Sequence, residues 1–188
     1  MKFIHFILVL ISFGFSQDGL NPFLKIKSLG HRDPIEDRLT LEKLNAKIKT
    51  EIEPRLRSVR NISIENFLQY PKDGQLVIVD VREKNEMLSM LPGAISLEIF
   101  EQLRQDSIYN KKVDIVFYCT IGWRSGDVAN KYQDLGMSTY NLTGGVLAWA
   151  YKGGEFVNAR GEKTIQVHVY NSKWNFLPSP YEAMIDGY

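Results

Sequence analysis

At 188 residues the chain suits one ordinary domain with some length to spare. Its composition, 44% hydrophobic and 24% charged, is that of a globular protein able to bury a core. The 23 basic and 22 acidic residues leave a net charge of +1, which gives no argument for nucleic acid or an acidic membrane surface as partner, and one cysteine with three scattered histidines (His5, His31, His168) offers no metal-ligand spacing.

The N-terminal stretch "MKFIHFILVLISFGFSQDGL" has Lys2, then a nearly unbroken apolar run over residues 3–13, then small residues Gly14 and Ser16 before polar Gln17 and Asp18. This pattern predicts a secretory signal peptide over residues 1–16, and with it an exported protein, periplasmic or secreted. The run is well short of the ~20 apolar residues that span a bilayer. No cysteine follows it to carry a lipid, so no membrane association is expected after cleavage. Residues 17–60 are predicted to be a polar linker followed by a helix. Over 40–53, "TLEKLNAKIKTEIE", residues Leu41, Leu44, Ile48 and Ile52 share one face at helical spacing, and Pro54 ends the pattern. This helix is expected on the outside of the domain.

From residue 61 the pattern alternates. "QLVIVD" (75–80) is a continuous apolar run ending in a charge, as buried parallel strands are. "GAISL" (93–97) is a short second strand and "LEIFEQLRQ" (97–105) a helix. "KVDIVFYC" (112–119) is another buried strand, and "RSGDVANKYQDLG" (124–136) a helix closed by Gly136. "STYNL" (138–142) and "GGVLAWAYKGG" (144–154) repeat the strand-helix unit. Such alternation with short connections predicts an α/β fold with a parallel sheet and helices on both faces. In the tail, two short strands are expected around Ala159-Arg160-Gly161, and "NFLPSPYEAMIDGY" is expected as coil. The tail as a whole is expected to cover a sheet edge. "NIS" at 61–63 and "NLT" at 141–143 match glycosylation sequons, but Asn141 falls at a buried strand end, where a chance match is the better explanation.

The single cysteine, Cys119, admits three readings: an inert buried thiol, an intermolecular bridge, or a reactive group. It closes a buried parallel strand just before a helix, the edge at which open α/β sheets bind ligands. The loop Thr120-Ile121-Gly122-Trp123 leads into the helix, whose first backbone N–H groups are unpaired and can converge on an anion. A sulfur at their centre is stabilised as a thiolate. Gly122 lets the backbone curl around it, and Arg124 offers a planar fork for an oxyanion.

"CTIGWRS" resembles the active loop of rhodanese-like single-domain sulfurtransferases, Cys-x-x-Gly-x-Arg-Ser. "VIVDVRE" (77–83) resembles that family's Asp-x-Arg strand end. "LPGAISL" (91–97) resembles its Pro-Gly-Ala segment, and "LGMSTYNLTGGVLAW" (135–149) its Gly-Gly and Trp signature. Before Pro92 the family usually has Gly-His ahead of an isoleucine. Here Ser89-Met90-Leu91 stand instead, which bears on substrate choice more than on fold. The resemblance covers residues 61–157, leaving 158–188 as an extension, and implies a five-stranded parallel sheet flanked by helices. It also implies a chemistry. Cys119 takes the outer sulfur of thiosulfate or a persulfide donor, holds it as a persulfide and passes it to a thiol, a protein sulfur acceptor or cyanide. In that scheme Thr120, Ile121, Gly122, Trp123, Arg124 and Ser125 bind the substrate, with Arg124 on the donor's sulfonate. Asp80 and Arg82 brace the loop. No metal or cofactor is called for, and no general base once the thiolate is preformed, in keeping with no histidine near the loop in sequence. A cysteine phosphatase needs five residues between Cys and Arg, and this loop has four (120–123). The alternative is a non-catalytic rhodanese-like module for thiol sensing or protein binding.

Overall fold

The computed structural model describes residues 34–56, 58–70, 76–105 and 113–185. The expected signal peptide, and the linker as far as residue 33, lie outside the described residues. Among these residues no helix is long and apolar enough to cross a membrane.

Three five-residue strands form the centre of the sheet: β2 (Leu76–Asp80), β4 (Asp114–Tyr118) and β5 (Ser138–Leu142). Two-residue strands β1 (Asn61–Ile62) and β3 (Ile95–Ser96) flank them, giving the order β1-β5-β4-β2-β3, every neighbouring pair parallel. The predicted five-stranded parallel sheet is therefore observed. Strand periodicity sorts the side chains. Val79, Ile115, Phe117 and Cys119 pack on one face with α3 (Leu97–Gln105) and α4 (Trp123–Asp134). Ile78, Val116 and Tyr118 pack on the other with α2 (Ile64–Leu68) and α5 (Gly145–Tyr151). Both faces are covered, which is why β2 and β4 read as continuous apolar runs. On the first face Phe117, Tyr132 and Phe100 form a ring triad with centroids 5.2–5.4 Å apart, tying β4 to α3 and α4.

Two expectations are corrected. The N-terminal helix starts at Pro34, not near residue 40, and runs to Lys47. A π-type turn over Ile48–Ile52 and a 3-10 turn over Glu53–Arg55 follow it. It is not peripheral: Leu44, Ile48, Ile52 and Leu56 belong to the same core cluster as Cys119, Ile121 and Leu147. Its apolar stripe was visible in the sequence, but the partner surface lies some 75 residues away in the chain. The close seat of Leu56 depends on Gly126 of α4, where an added Cβ would lie 2.2 Å from Leu56 Cδ2.

The tail is also more ordered than coil. Strands β6 (Phe156–Val157) and β7 (Lys163–Thr164) form the expected antiparallel hairpin, with Asn158 Oδ1 accepting from the N–H groups of Arg160 and Glu162. Beyond them β8 (Gln166–His168) pairs in parallel with β9 (Glu182–Met184), inside the stretch expected as coil. The pairing is non-local, so a three-residue strand carries no periodic signal of its own. Val167 and Val169 are fully buried, and the tail runs across the carboxyl ends of the central strands. Asn141 is fully buried too, as expected of a sequon matched by chance.

Candidate functional site

The β4 backbone delivers Cys119 to the carboxyl edge of the sheet, and the chain then turns sharply into α4. Gly122, the residue before the helix, makes that turn at φ 95°, a left-handed conformation that side chains disfavour. The curl directs the Gly122 N–H at Cys119 Sγ, 3.2 Å away. Cys119 is 1% exposed, and it lines the pocket described below. The Gly144-Gly145 pair buttresses the loop from the other side. Val146 N–H donates to the Cys119 carbonyl at 2.9 Å and Leu147 N–H to the Thr120 carbonyl at 3.2 Å. Gly145 allows this approach, because a Cβ there would lie 2.1 Å from the Cys119 carbonyl oxygen.

Behind the sulfur a hydrogen-bonded chain fixes the orientation of Ser125. Asn61 Nδ2 donates to the carbonyls of Leu56 and Val59, so its Oδ1 faces Asn141 and accepts from Asn141 Nδ2 at 2.9 Å. Asn141 Oδ1 then accepts the Ser125 hydroxyl at 2.7 Å, leaving the Ser125 oxygen 3.5 Å from Cys119 Sγ. Thr120 Oγ1, also buried in the loop, has no hydrogen-bond partner among the described residues.

Arg124 lines the pocket with Cys119, but its fork is occupied. Nη1 and Nη2 donate to the two carboxylate oxygens of Glu86 at 2.5 and 2.8 Å. Glu86, missed by the sequence reading, is almost wholly buried and also accepts from the Glu83 N–H at 2.8 Å. Burial pushes its carboxyl pKa up, yet the Arg124 hydrogen bonds, the Glu83 N–H and the neighbouring His168 outweigh it, and the net direction is down. Burial likewise works against the Arg124 charge, but the Glu86 carboxylate and the Cys119 sulfur hold the guanidinium above its ordinary value. His168, absent from the loop in sequence, is brought here by β8. Its Nδ1 accepts the Tyr170 N–H at 3.2 Å and lies 3.5 Å from Glu86 Oε1.

Asp80 and Arg82 lie beneath this layer. Arg82 Nη2 donates to Asp80 Oδ2 at 2.7 Å and to the Ser89 carbonyl at 2.5 Å, and Nη1 reaches the His168 carbonyl at 3.5 Å. Burial opposes the guanidinium charge, but Asp80 outweighs it and the Arg82 pKa moves up. The pair thus joins the end of β2 to the 84–91 loop and to the tail.

Over Cys119 opens a pocket of about 460 Å³. The loop contributes Thr120, Ile121, Trp123 and Arg124 to it, the π-type turn contributes Glu51, and the tail contributes Tyr170 and Trp174. Glu51, Tyr170 and Trp174 could not be linked to the loop from sequence, since their segments have no motif. Among the described residues no group of His, Cys, Asp and Glu could hold a metal ion.

A family model for the rhodanese-like domain matches residues 63–152. The chain is 32% identical over 78 residues to "Putative sulfurtransferase YtwF" of Bacillus subtilis (strain 168), covering 41% of this chain and 76% of that one. It is 31% identical over 133 residues to "Rhodanese-like/PpiC domain-containing protein 12, chloroplastic" of Arabidopsis thaliana, covering 68% of this chain but only 38% of that longer protein. Among solved structures it is similar to a rhodanese-related protein from Thermoplasma volcanium, with a TM-score of 0.44, 23% identity and coverage of 52% of this chain and 97% of the other. A rhodanese-like domain protein from Staphylococcus aureus gives a TM-score of 0.41 at 28% identity, covering 51% and 96%.

Proposed function

The chain belongs to the rhodanese-like domain family, and from that premise we propose that it is an exported sulfurtransferase working through a Cys119 persulfide. The observation that carries the reading is Cys119 Sγ held by the Gly122 N–H at the floor of a pocket that Arg124 also lines. The Cys119 thiolate attacks the outer sulfur of a donor. With thiosulfate, the donor S–S bond breaks, sulfite leaves with the bonding pair, and a new S–S bond makes Cys119 a persulfide. An acceptor thiolate or cyanide then attacks the outer sulfur, and Cys119 departs with the pair as thiolate. Loop N–H groups and the Thr120 hydroxyl, which has no partner of its own among the described residues, are suited to take the persulfide charge. The leader-like N-terminus supports export.

Intact mass of the mature protein, before and after excess thiosulfate, tests the reading. The expected chain starts at Gln17 and gains one sulfur atom, which cyanide removes as thiocyanate. Cys119→Ser gains none. A wild-type protein that takes up no sulfur from thiosulfate or from an organic thiosulfonate would favour the binding-module alternative, for which the deep burial of Cys119 speaks.

A further inference from the structure

We infer that the sulfur donor is an organic molecule with a flat apolar body, held by Trp123, Tyr170 and Trp174, and not the small dianion thiosulfate. The inference rests on the sulfur-transfer reading above and names its substrate class.

Three observations carry it. First, both terminal nitrogens of Arg124 are bound to Glu86. A sulfonate would have to displace a carboxylate already seated bidentately, which is the strong geometry for such pairs. Glu51, the other carboxylate at the pocket, is likewise compensated, with Lys47 Nζ 2.6 Å away. Among the described residues that line the pocket Arg124 is the one cation, and Glu86 already engages it. Second, its volume of about 460 Å³ lies in the range of roughly 300–1,000 Å³ typical of pockets for small organic molecules. Third, its aromatic walls are built and held. Trp174 lies under Lys47, 4.5 Å from the ring centroid, and Trp123 under Arg55 at 4.0 Å. Tyr170 takes a φ of 69°, which non-glycine residues rarely adopt, and so stands 5.2 Å from the Arg124 guanidinium. Tyr170 is 54% exposed and lines the pocket, so its side chain is open to an incoming molecule. Tyr170 and Trp174 lie outside the family-matched residues 63–152, so this wall belongs to the chain's own extension. The chemical class is R–SO₂–S⁻ or R–S–S⁻ with R flat and apolar. With the first, the S–S bond breaks, the sulfinate leaves with the electron pair, and Cys119 becomes the persulfide.

Calorimetric titration of the non-reacting Cys119→Ser protein with benzenethiosulfonate, methanethiosulfonate and thiosulfate tests this. The aromatic probe should bind at least tenfold tighter than the methyl one, with thiosulfate weakest. Adding Tyr170→Ala or Trp174→Ala should bring the first ratio near one, while Tyr170→Phe keeps it. Thermal melts identify any variant that fails to fold, and the comparison of the three probes on the parent protein does not depend on the variants. Equal binding of the aromatic and methyl probes, or a ratio untouched by both alanine variants, overturns the inference. Sulfur uptake by wild-type Cys119 is read separately by mass. Selective aromatic binding with no uptake from any donor sinks the transferase reading and leaves the pocket assignment standing; uptake without selectivity does the reverse.

Discussion

Glu86 meets Arg124 with both of its oxygens while its N-terminal neighbour Glu83 donates a backbone N–H to it, so one buried carboxylate is held by three donors. Neutralising it as Glu86→Gln keeps the shape and loosens the fork beside the sulfur. Thiosulfate kcat/KM should then rise about tenfold, the equivalent of ~1.4 kcal/mol. The check is thiocyanate production from thiosulfate and cyanide, and an unchanged or lower value would mean that Glu86 does not limit anion access. The same residue fixes a pH dependence. Its folded-state pKa lies below the ordinary carboxyl value, so the folded form binds fewer protons than the unfolded one in the window between them. The stability it contributes is present above the unfolded value of ~4.3 and is lost as pH falls through the folded value. Thermal midpoints of wild type and Glu86→Gln should differ most near neutral pH and converge in acid.

Helix α5 acts on the site through its first residues and not through its length. The N–H groups of Val146 and Leu147 hold the carbonyls of Cys119 and Thr120, and Gly145, at φ 46°, lets that contact form. Gly145→Ala adds a methyl to a left-handed residue and drives it against a backbone carbonyl that cannot rotate away. Strain and overpacking together should cost roughly 3 kcal/mol or more. Urea unfolding measures this, and a loss under 1 kcal/mol would show that the loop and α5 can separate without penalty.

Across the whole molecule, the segments flanking the family-matched span complete both core and pocket. Leu44, Ile48, Ile52 and Leu56 fill one face of the core. At about 1.5–3 kcal/mol for each fully buried aliphatic side chain, the four contribute roughly 6–12 kcal/mol, comparable with the ~5–15 kcal/mol that holds a typical domain folded. A chain beginning at Arg60 should therefore lose its cooperative thermal transition and its near-UV circular dichroism. A sharp melt within a few degrees of the longer protein would contradict this. The tail matters in the same way, since Val167 and Val169 are buried and Tyr170 and Trp174 wall the pocket.

Much of this was legible in the chain itself, wherever the signal was local. The apolar runs at 75–80 and 112–119, the glycines at 122 and 144–145, and the spacing from Cys119 to Arg124 determined a parallel α/β sheet with one cysteine loop at its carboxyl edge. Those features depend on backbone geometry over a few residues, and backbone geometry leaves its mark in residue type. Contacts between distant segments leave no such mark. Only the tertiary structure decided that the N-terminal helix enters the core, that "NFLPSPYEAMIDGY" contains a strand, that Glu86 occupies the fork of Arg124, and that Asn61 sets the orientation of Ser125 through Asn141. Glu86, His168 and Trp174 are unremarkable letters in the sequence. Contact with a partner tens of residues away gives each its role, and such contacts are a property of the packed whole.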